Sequence, residues 1–330
     1  MFKVAIIGAG PAGIAMGAEL VQSGIPSDQI LICEKSEHDN ASVRQFYPAT
    51  KDINSVYKNI EVPINGVVGF SGLISLTEYH SMIDNIITDN KLNLKLKTEV
   101  QKVIKQDKGF QIETSQGVFE AEYVVLSSGV FSKPRKPDYP IPSILLPKIS
   151  YDILKLQKQD TRELDILVVG GGDSASEYVQ ILTQMKNKVT LSYRQEKLFR
   201  MNQLNMDRLN TLVDINKVTT CFGTNISSIE ADEDRIKIHF EEREDMIVDR
   251  IVYTLGGASS SAFMAQCGID YDDTNVVLRD NKETDIDGLF MIGDLATGRK
   301  GGSLMLGFKG AREVMEALHK KYNFNAPKSI

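Results

Sequence analysis

Twice along this chain an unbroken apolar run gives way to clustered glycines and then to apolar residues at helical spacing. Val4–Ile7 is followed by Gly8, Gly10 and Gly13 and then by IAMGAELVQSG; Ile166–Val169 is followed by Gly170, Gly171 and Gly172 and then by SASEYVQILTQM. A short run that is apolar at every position and bounded by turn residues predicts a strand buried on both faces, the kind found in parallel sheets covered by helices. Each helix-like segment leads to a second strand, QILICEK in the first case and KVTLSYR in the second. Two such strand–helix–strand units predict an α/β chain with parallel sheets. Between them, ISSIEADEDRIKIHF alternates through a turn, as a β-hairpin flank does. No solenoid period is present, so the duplication is one of fold and not of sequence.

Composition narrows the picture. At 330 residues the chain is long enough for two packed cores. Its 42% hydrophobic and 25% charged residues are those of an ordinary globular protein, and a net charge of −6 provides no global attraction to nucleic acid or anionic membrane. No apolar stretch is long enough to span a bilayer. The N-terminus enters the strand-like FKVAII without a signal-peptide pattern, so a cytoplasmic location is expected. The three cysteines, Cys33, Cys221 and Cys267, lie far apart, and neither they nor the four histidines have metal-ligand spacing, so no metal site is expected.

Two segments punctuate the chain. SKPRKPDYPIPSILLP is rich in proline, which is expected to hold an extended connection and prevent helix, and TLGGASSS is a Gly/Ser-rich return. They divide the chain into residues 1–133, 134–261 and 262–330, with the second module inserted into the first.

The glycine spacing carries specific chemistry. In the first turn Gly8 permits the tight bend, Gly10 lets a pyrophosphate approach the backbone and Gly13 lets the helix pack closely on the strand. With Pro11 they open a helix whose N-terminal N–H groups and dipole favour phosphate. Glu34, followed by Lys35, ends the next strand about 20 residues beyond Gly13, where an acid can hydrogen-bond ribose hydroxyls. In the second turn Gly170, Gly172 and Ala175 fit the variant with alanine at the close-packing position, and Asp173, Ser174 and Glu177 belong to the same turn and helix. Here no acid ends the next strand. Tyr193 and Arg194 stand there, with Arg200 further on, and arginine pairs a 2′-phosphate that an acid would repel. The second turn is therefore expected to take NADPH.

Three further stretches resemble known sequences. TDIDGLFMIGD (284–294) resembles the TxxxG(L/I)(F/Y)xxGD signature of two-dinucleotide flavoproteins. AEYVVLSSGVFSKP (121–134) resembles the strand of that superfamily that ends in Ala-Thr-Gly, with Ser127-Ser128 before Gly129. YRQEKLFR (193–200) resembles the HRRxxxFR segment of NADPH-dependent thioredoxin reductases, keeping Arg194, Phe199 and Arg200 but with Gln195 at the second arginine. Over essentially its whole length the chain resembles the thioredoxin reductase-like flavoproteins. That resemblance implies an α/β fold of two Rossmann-like domains, the second inserted in the first, usually as a homodimer passing hydride from NADPH to FAD. It implies that Gly293 and Asp294 meet the FAD ribityl–pyrophosphate region. It also places Gly301, Gly302 and Ser303 beside the flavin, at the start of the helical LMLGFKGAREVMEALHKK. No side-chain catalytic acid or nucleophile is expected, because the flavin carries the chemistry.

One part of the family pattern is missing. No cysteine lies between Gly129 and Gly170, where thioredoxin reductases carry CxxC, so no internal disulfide is expected to relay electrons. Flavin monooxygenases are excluded by the absence of their FxGxxxH segment. The group that reduces small electron carriers, NADPH–ferredoxin reductases and flavodoxin–quinone reductases, suits the chain best. Bacillithiol-disulfide reductase-like proteins are the alternative. A non-catalytic FAD-binding sensor is a rival of another class, opposed by the second glycine turn with Arg194. Arg299, Lys300, Lys309 and Arg312 form a basic corner that is expected to steer an acidic flavodoxin or ferredoxin, unless it is only a solvated helix face. Phe46, Tyr47 and Tyr57 are expected either beside the flavin or in the core.

Overall fold

The computed structural model describes residues 1–57, 60–129, 134–159, 161–257, 260–272, 274–298 and 302–327. The chain forms two compact units, Met1–Ser132 with Ser259–Ile330, and Lys133–Ala258. The first unit opens with β1 (Phe2–Ile7), α1 (Pro11–Gln22) and β2 (Ile30–Cys33). β1 and β2 are parallel, with Val4 opposite Ile30 and Ile7 opposite Cys33. α2 (Leu76–Asp89) starts in a capping box, Glu78 N–H donating to Ser75 Oγ at 3.2 Å and Ser75 N–H to Glu78 Oε2 at 2.7 Å. β3 (Leu94–Lys95) pairs parallel with β2. β4 (Val100–Lys105), β5 (Phe110–Thr114) and β6 (Gly117–Leu126) form an antiparallel run, and β6 lies parallel to β1.

The second unit is built on a parallel sheet. Its elements are β7 (Ile149–Ser150), β8 (Asp165–Val169), α3 (Asp173–Gln184), β9 (Lys188–Tyr193), α4 (Gln203–Asp214) and β10 (Val218–Phe222). β11 (Ile226–Asp232), β12 (Arg235–Phe240), β13 (Met246–Val248) and β14 (Arg250–Tyr253) follow. The parallel sheet has the order β7-β14-β8-β9-β10, and β11-β12-β13 make a separate antiparallel sheet. Alternation along β8 sorts its side chains between two cores. Ile166 and Val168 pack with α3 residues such as Ala175 and Val179, while Leu167 packs with Ile229, Ile236 and Ile238 of the antiparallel sheet. The proline-rich connection is not extended throughout. Ser143–Lys148 is a 3-10 helix containing Pro147, and it turns Leu145 into the second of these cores. Such a short helix needs few N–H donors, so one proline does not prevent it.

Returning to the first unit, β15 (Leu289–Met291) lies parallel to β6, and α5 (Leu304–Tyr322) packs on α1. The sheet order is β3-β2-β1-β6-β5-β4, with β15 also on β6. Val4 and Ile6 face α1, α2 and α5, whereas Ala5 and Ile7 face the opposite core with Val103 and Ile112. The expected strand at 284–294 is shorter than its motif: only Leu289–Met291 is strand, and Asp294 begins a single helical turn. No helix among the described residues is long and apolar enough to cross a membrane.

Candidate functional site

The first glycine turn leaves no room where its motif has glycine. Gly8 has φ +111°, and a Cβ there would meet Ser127 O at 2.7 Å. A Cβ on Gly13 would come within 2.0 Å of Gly8 O and 2.7 Å of Ser127 Oγ. The Ser127 hydroxyl itself donates to Gly8 O at 2.9 Å, so the serine that departs from the family pattern closes the turn from beneath. Gly10 is the opposite case. It caps α1 in an extended conformation with no side-chain cap bond, and nothing lies within 4 Å of where its Cβ would be. Pro11 stands at the first helical position and the first turn holds no acid, so the helix start is open to an anion. Glu34 is buried and already engaged: Oε2 accepts the Ala9 N–H at 2.9 Å and Oε1 the Ser36 N–H at 2.9 Å. It braces the turn, with lone pairs remaining on each oxygen. Lys35 is exposed.

A second set of residues converges on the same corner of this unit. Gly293 (φ +68°) and Gly307 in α5 would each bring a Cβ to 3.2 Å from Ala12 Cβ, at the start of α1. Asp294 follows Gly293, and a Cβ on Gly302 would meet its Oδ1 at 2.1 Å. The Asp294 carboxylate is half-buried with no hydrogen-bond partner among the described residues, and burial pushes it up to about 6. The Ser303 hydroxyl accepts the Leu306 N–H at 3.2 Å as the cap of α5. Gly129 (φ +66°) has open space beside its Cα, and its carbonyl accepts from Ser260 Oγ at 3.1 Å. Gly301, Arg299 and Lys300 lie outside the described residues. Sequence reasoning missed Ala12 and the bracing role of Ser127. Only the close-packing glycines hinted at such neighbours.

In the other unit, a Cβ on Gly170 would meet Thr254 Oγ1 at 2.1 Å, and one on Gly171 would meet the Tyr193 ring at 2.4 Å. Gly172 caps α3 with nothing within 4 Å of its Cβ position, and Ala175 is fully buried beneath. Ser174 is exposed, as are Arg194 and Arg200, and neither arginine has an ion-pair partner among the described residues. Arg200 sits against the turn through a parallel backbone bridge to Gly172. Asp173 is engaged through one of its two carboxylate oxygens. Its Oδ1 accepts the Asn202 N–H at 2.8 Å and Asn205 Nδ2 at 3.0 Å, while Glu177 Oε1 accepts from Asn205 Nδ2 at 3.3 Å.

Residues 5–293 match the family described as pyridine nucleotide-disulphide oxidoreductase. The chain belongs to this family. It is 26% identical over 328 residues to a ferredoxin–NADP reductase of Lactococcus lactis subsp. cremoris, covering 98% of this chain and 95% of that one. Among solved structures it resembles the bacillithiol disulfide reductase of Bacillus cereus, with a TM-score of 0.79 at 19% identity, over 96% of this chain and 98% of that one. It also resembles a thioredoxin reductase of Lactococcus lactis, with a TM-score of 0.76 at 21% identity, over 98% and 99% of the two chains. The resemblance to the thioredoxin reductase-like fold holds, and this pyridine nucleotide-disulphide oxidoreductase is an FAD-containing NAD(P)H enzyme with FAD and NADPH as its cofactors.

The residues present in this oxidoreductase fit both groups. The open face over Gly10 and the free start of α1 suit a pyrophosphate, and the Asp294 carboxylate, without a partner among the described residues, suits the hydroxyls of a ribityl chain. Gly172, the start of α3 and the two exposed arginines suit a phosphorylated nucleotide. Bound FAD supplies the exchange between a two-electron donor and other acceptors. Cys33, Cys221 and Cys267 are free and buried, and burial pushes Cys33 and Cys267 up to about 12 and raises Cys221. No group of three or more metal-ligating side chains occurs among the described residues. The expected basic corner is corrected in part. Arg312 is mostly buried and pairs with Glu19 and Glu316, each at 3.4 Å, because α1 presents the buried Glu19 to α5. Lys309 faces Glu313 at 3.8 Å. Tyr47 and Tyr57 pack against the helix-side core, and Phe46 is half-buried.

Proposed function

We propose that this enzyme takes electrons from NADPH and delivers them to a small ferredoxin- or flavodoxin-type carrier, or to a quinone, with no dithiol between. The observation that carries the reading is the state of the cysteines. All three are free and buried, and burial raises each thiol above its ordinary range, whereas an attacking thiolate is what a disulfide relay needs. The relatives named ferredoxin–NADP reductase, aligned over nearly the whole chain, support the same acceptor class. The exposed Arg194 and Arg200 beside the second glycine turn support NADPH over NADH. Likeness to bacillithiol disulfide reductase is one of fold, and a small disulfide is the competing acceptor. The test supplies the FAD-loaded protein with NADPH and, in parallel, ferredoxin, flavodoxin, a soluble quinone and bacillithiol disulfide. Rapid carrier or quinone reduction with negligible disulfide turnover is expected. Turnover of the disulfide alone would overturn the reading, and failure of NADPH to bleach the flavin absorbance would overturn the reductase assignment itself.

A further inference from the structure

Asn205 is a buried polar side chain, 4% exposed, in the first turn of α4, and its amide nitrogen and both of its backbone polar groups are engaged. Its N–H donates to Asn202 Oδ1 at 2.9 Å, its carbonyl accepts from the buried Ser176 hydroxyl at 2.8 Å, and its Nδ2 reaches Asp173 and Glu177. Asp173 takes two donors on one oxygen, the Asn202 N–H and Asn205 Nδ2, from the far end of the segment that links β9 to α4. That segment carries Arg194 and Arg200, and its backbone touches the glycine turn at the Gly172–Arg200 bridge. The first residue of α3 thus ties down the loop that carries both exposed arginines.

We propose that Asp173, through Asn202 and Asn205, is a positioning residue that sets the selectivity of this turn for a nucleotide bearing a 2′-phosphate. The inference rests on the NADPH reading of the second turn. A charge-assisted bond from a backbone N–H to a carboxylate holds a loop end more firmly than a neutral bond does. An exposed arginine gains phosphate affinity when its backbone is fixed in advance, because less ordering remains for the moment of binding. The pyrophosphate shared by both nucleotides is expected at the glycine turn itself, where Gly170 and Gly171 lie against Thr254 and Tyr193 and Ala175 is buried beneath. Releasing the loop therefore weakens the grip on the 2′-phosphate and leaves the common grip in place.

The experiment measures equilibrium binding of NADP⁺ and NAD⁺ to the FAD-loaded protein by calorimetry, with amide hydrogen exchange at Asn202 as a second readout. Asp173→Ala is expected to lower NADP⁺ affinity on the order of tenfold while NAD⁺ affinity changes far less, and to speed exchange at Asn202. Asp173→Asn keeps an acceptor oxygen and is expected to restore most of the NADP⁺/NAD⁺ ratio and the Asn202 protection. A wild-type protein that binds both nucleotides equally overturns the NADPH reading, and it does so before any variant is measured. With the wild-type preference intact, equal weakening of both nucleotides in Asp173→Ala, or no rescue of the ratio by Asp173→Asn, overturns the positioning role alone. An Asp173→Ala protein with FAD content and thermal midpoint unlike wild type is read through Asp173→Asn, whose ratio then decides.

Discussion

Asp294 is a carboxylate with no hydrogen-bond or ion-pair partner among the described residues, and burial pushes it from 3.8 to about 6. Between those two values the folded protein holds a proton that the unfolded chain has lost, so rising pH through this window favours unfolding. Above the window the full penalty applies, on the order of 3 kcal/mol. In FAD-free protein, Asp294→Asn is accordingly expected to raise the thermal midpoint at pH 8, and the gain should shrink as pH falls toward 4. The same variant is expected to release FAD more readily, because hydroxyl donors bind a carboxylate more strongly than an amide. A variant with an unchanged midpoint at pH 8 and full FAD retention would show that this acid neither suffers burial nor holds the cofactor. Arg194 makes the complementary case, an exposed cation with no ion-pair partner among the described residues. Arg194→Ala is expected to raise KM for NADPH well above any change for NADH, with about 1.5–3 kcal/mol of phosphate binding lost. Equal effects on the two nucleotides would assign discrimination elsewhere.

At the scale of elements, two glycines three positions apart separate folding from binding. A methyl on Gly13 has no space against Gly8 O, whereas one on Gly10 meets nothing and occupies the face where a pyrophosphate approaches. Gly13→Ala is expected to displace α1 from β1, lowering the thermal midpoint of FAD-free protein by several degrees as an overpacked core does, on the order of 1–3 kcal/mol. Gly10→Ala is expected to leave that midpoint within about a degree while FAD affinity collapses, since its φ of −78° suits alanine. Differential scanning calorimetry and FAD titration on both variants check this, and similar losses of stability would remove the distinction. These turns were legible because steric demand at a glycine is written in the spacing itself. The Asp173–Asn205 clasp was not, since its members lie far apart in sequence and each has an ordinary local role: Asn202 reads as a helix cap and Asp173 as a first-turn acid. Arg312 misled for the same reason. It looks like a surface charge until α5 packs on α1 and brings it to the buried Glu19.

For the whole molecule, the two glycine turns sit in separate compact units, each with a sheet, mixed in the first and parallel in the second, whose alternating residues feed two cores. That plan was readable because strands buried on both faces are apolar at every position, which few other elements are. The route electrons take out of the protein turns on its thiols, and their burial decides how to probe it. Cys33 and Cys267 are each 2% exposed within an apolar core, so serine there would bury a hydroxyl and confound the result with unfolding, while Cys221, 3% exposed, meets the Arg243 guanidinium. Alanine removes the sulfur without adding a polar group. A Cys33→Ala, Cys221→Ala, Cys267→Ala protein is expected to keep its NADPH-driven reduction of ferredoxin or flavodoxin within about twofold, after correction for FAD content, because no sulfur lies on the route. The correction matters for Cys33. It ends β2 immediately before Glu34, whose carboxylate braces the first glycine turn, so a small cavity there can loosen FAD without touching electron transfer. A triple variant with full FAD content, an intact flavin response to NADPH and no carrier reduction would place a thiol on the path and overturn direct delivery.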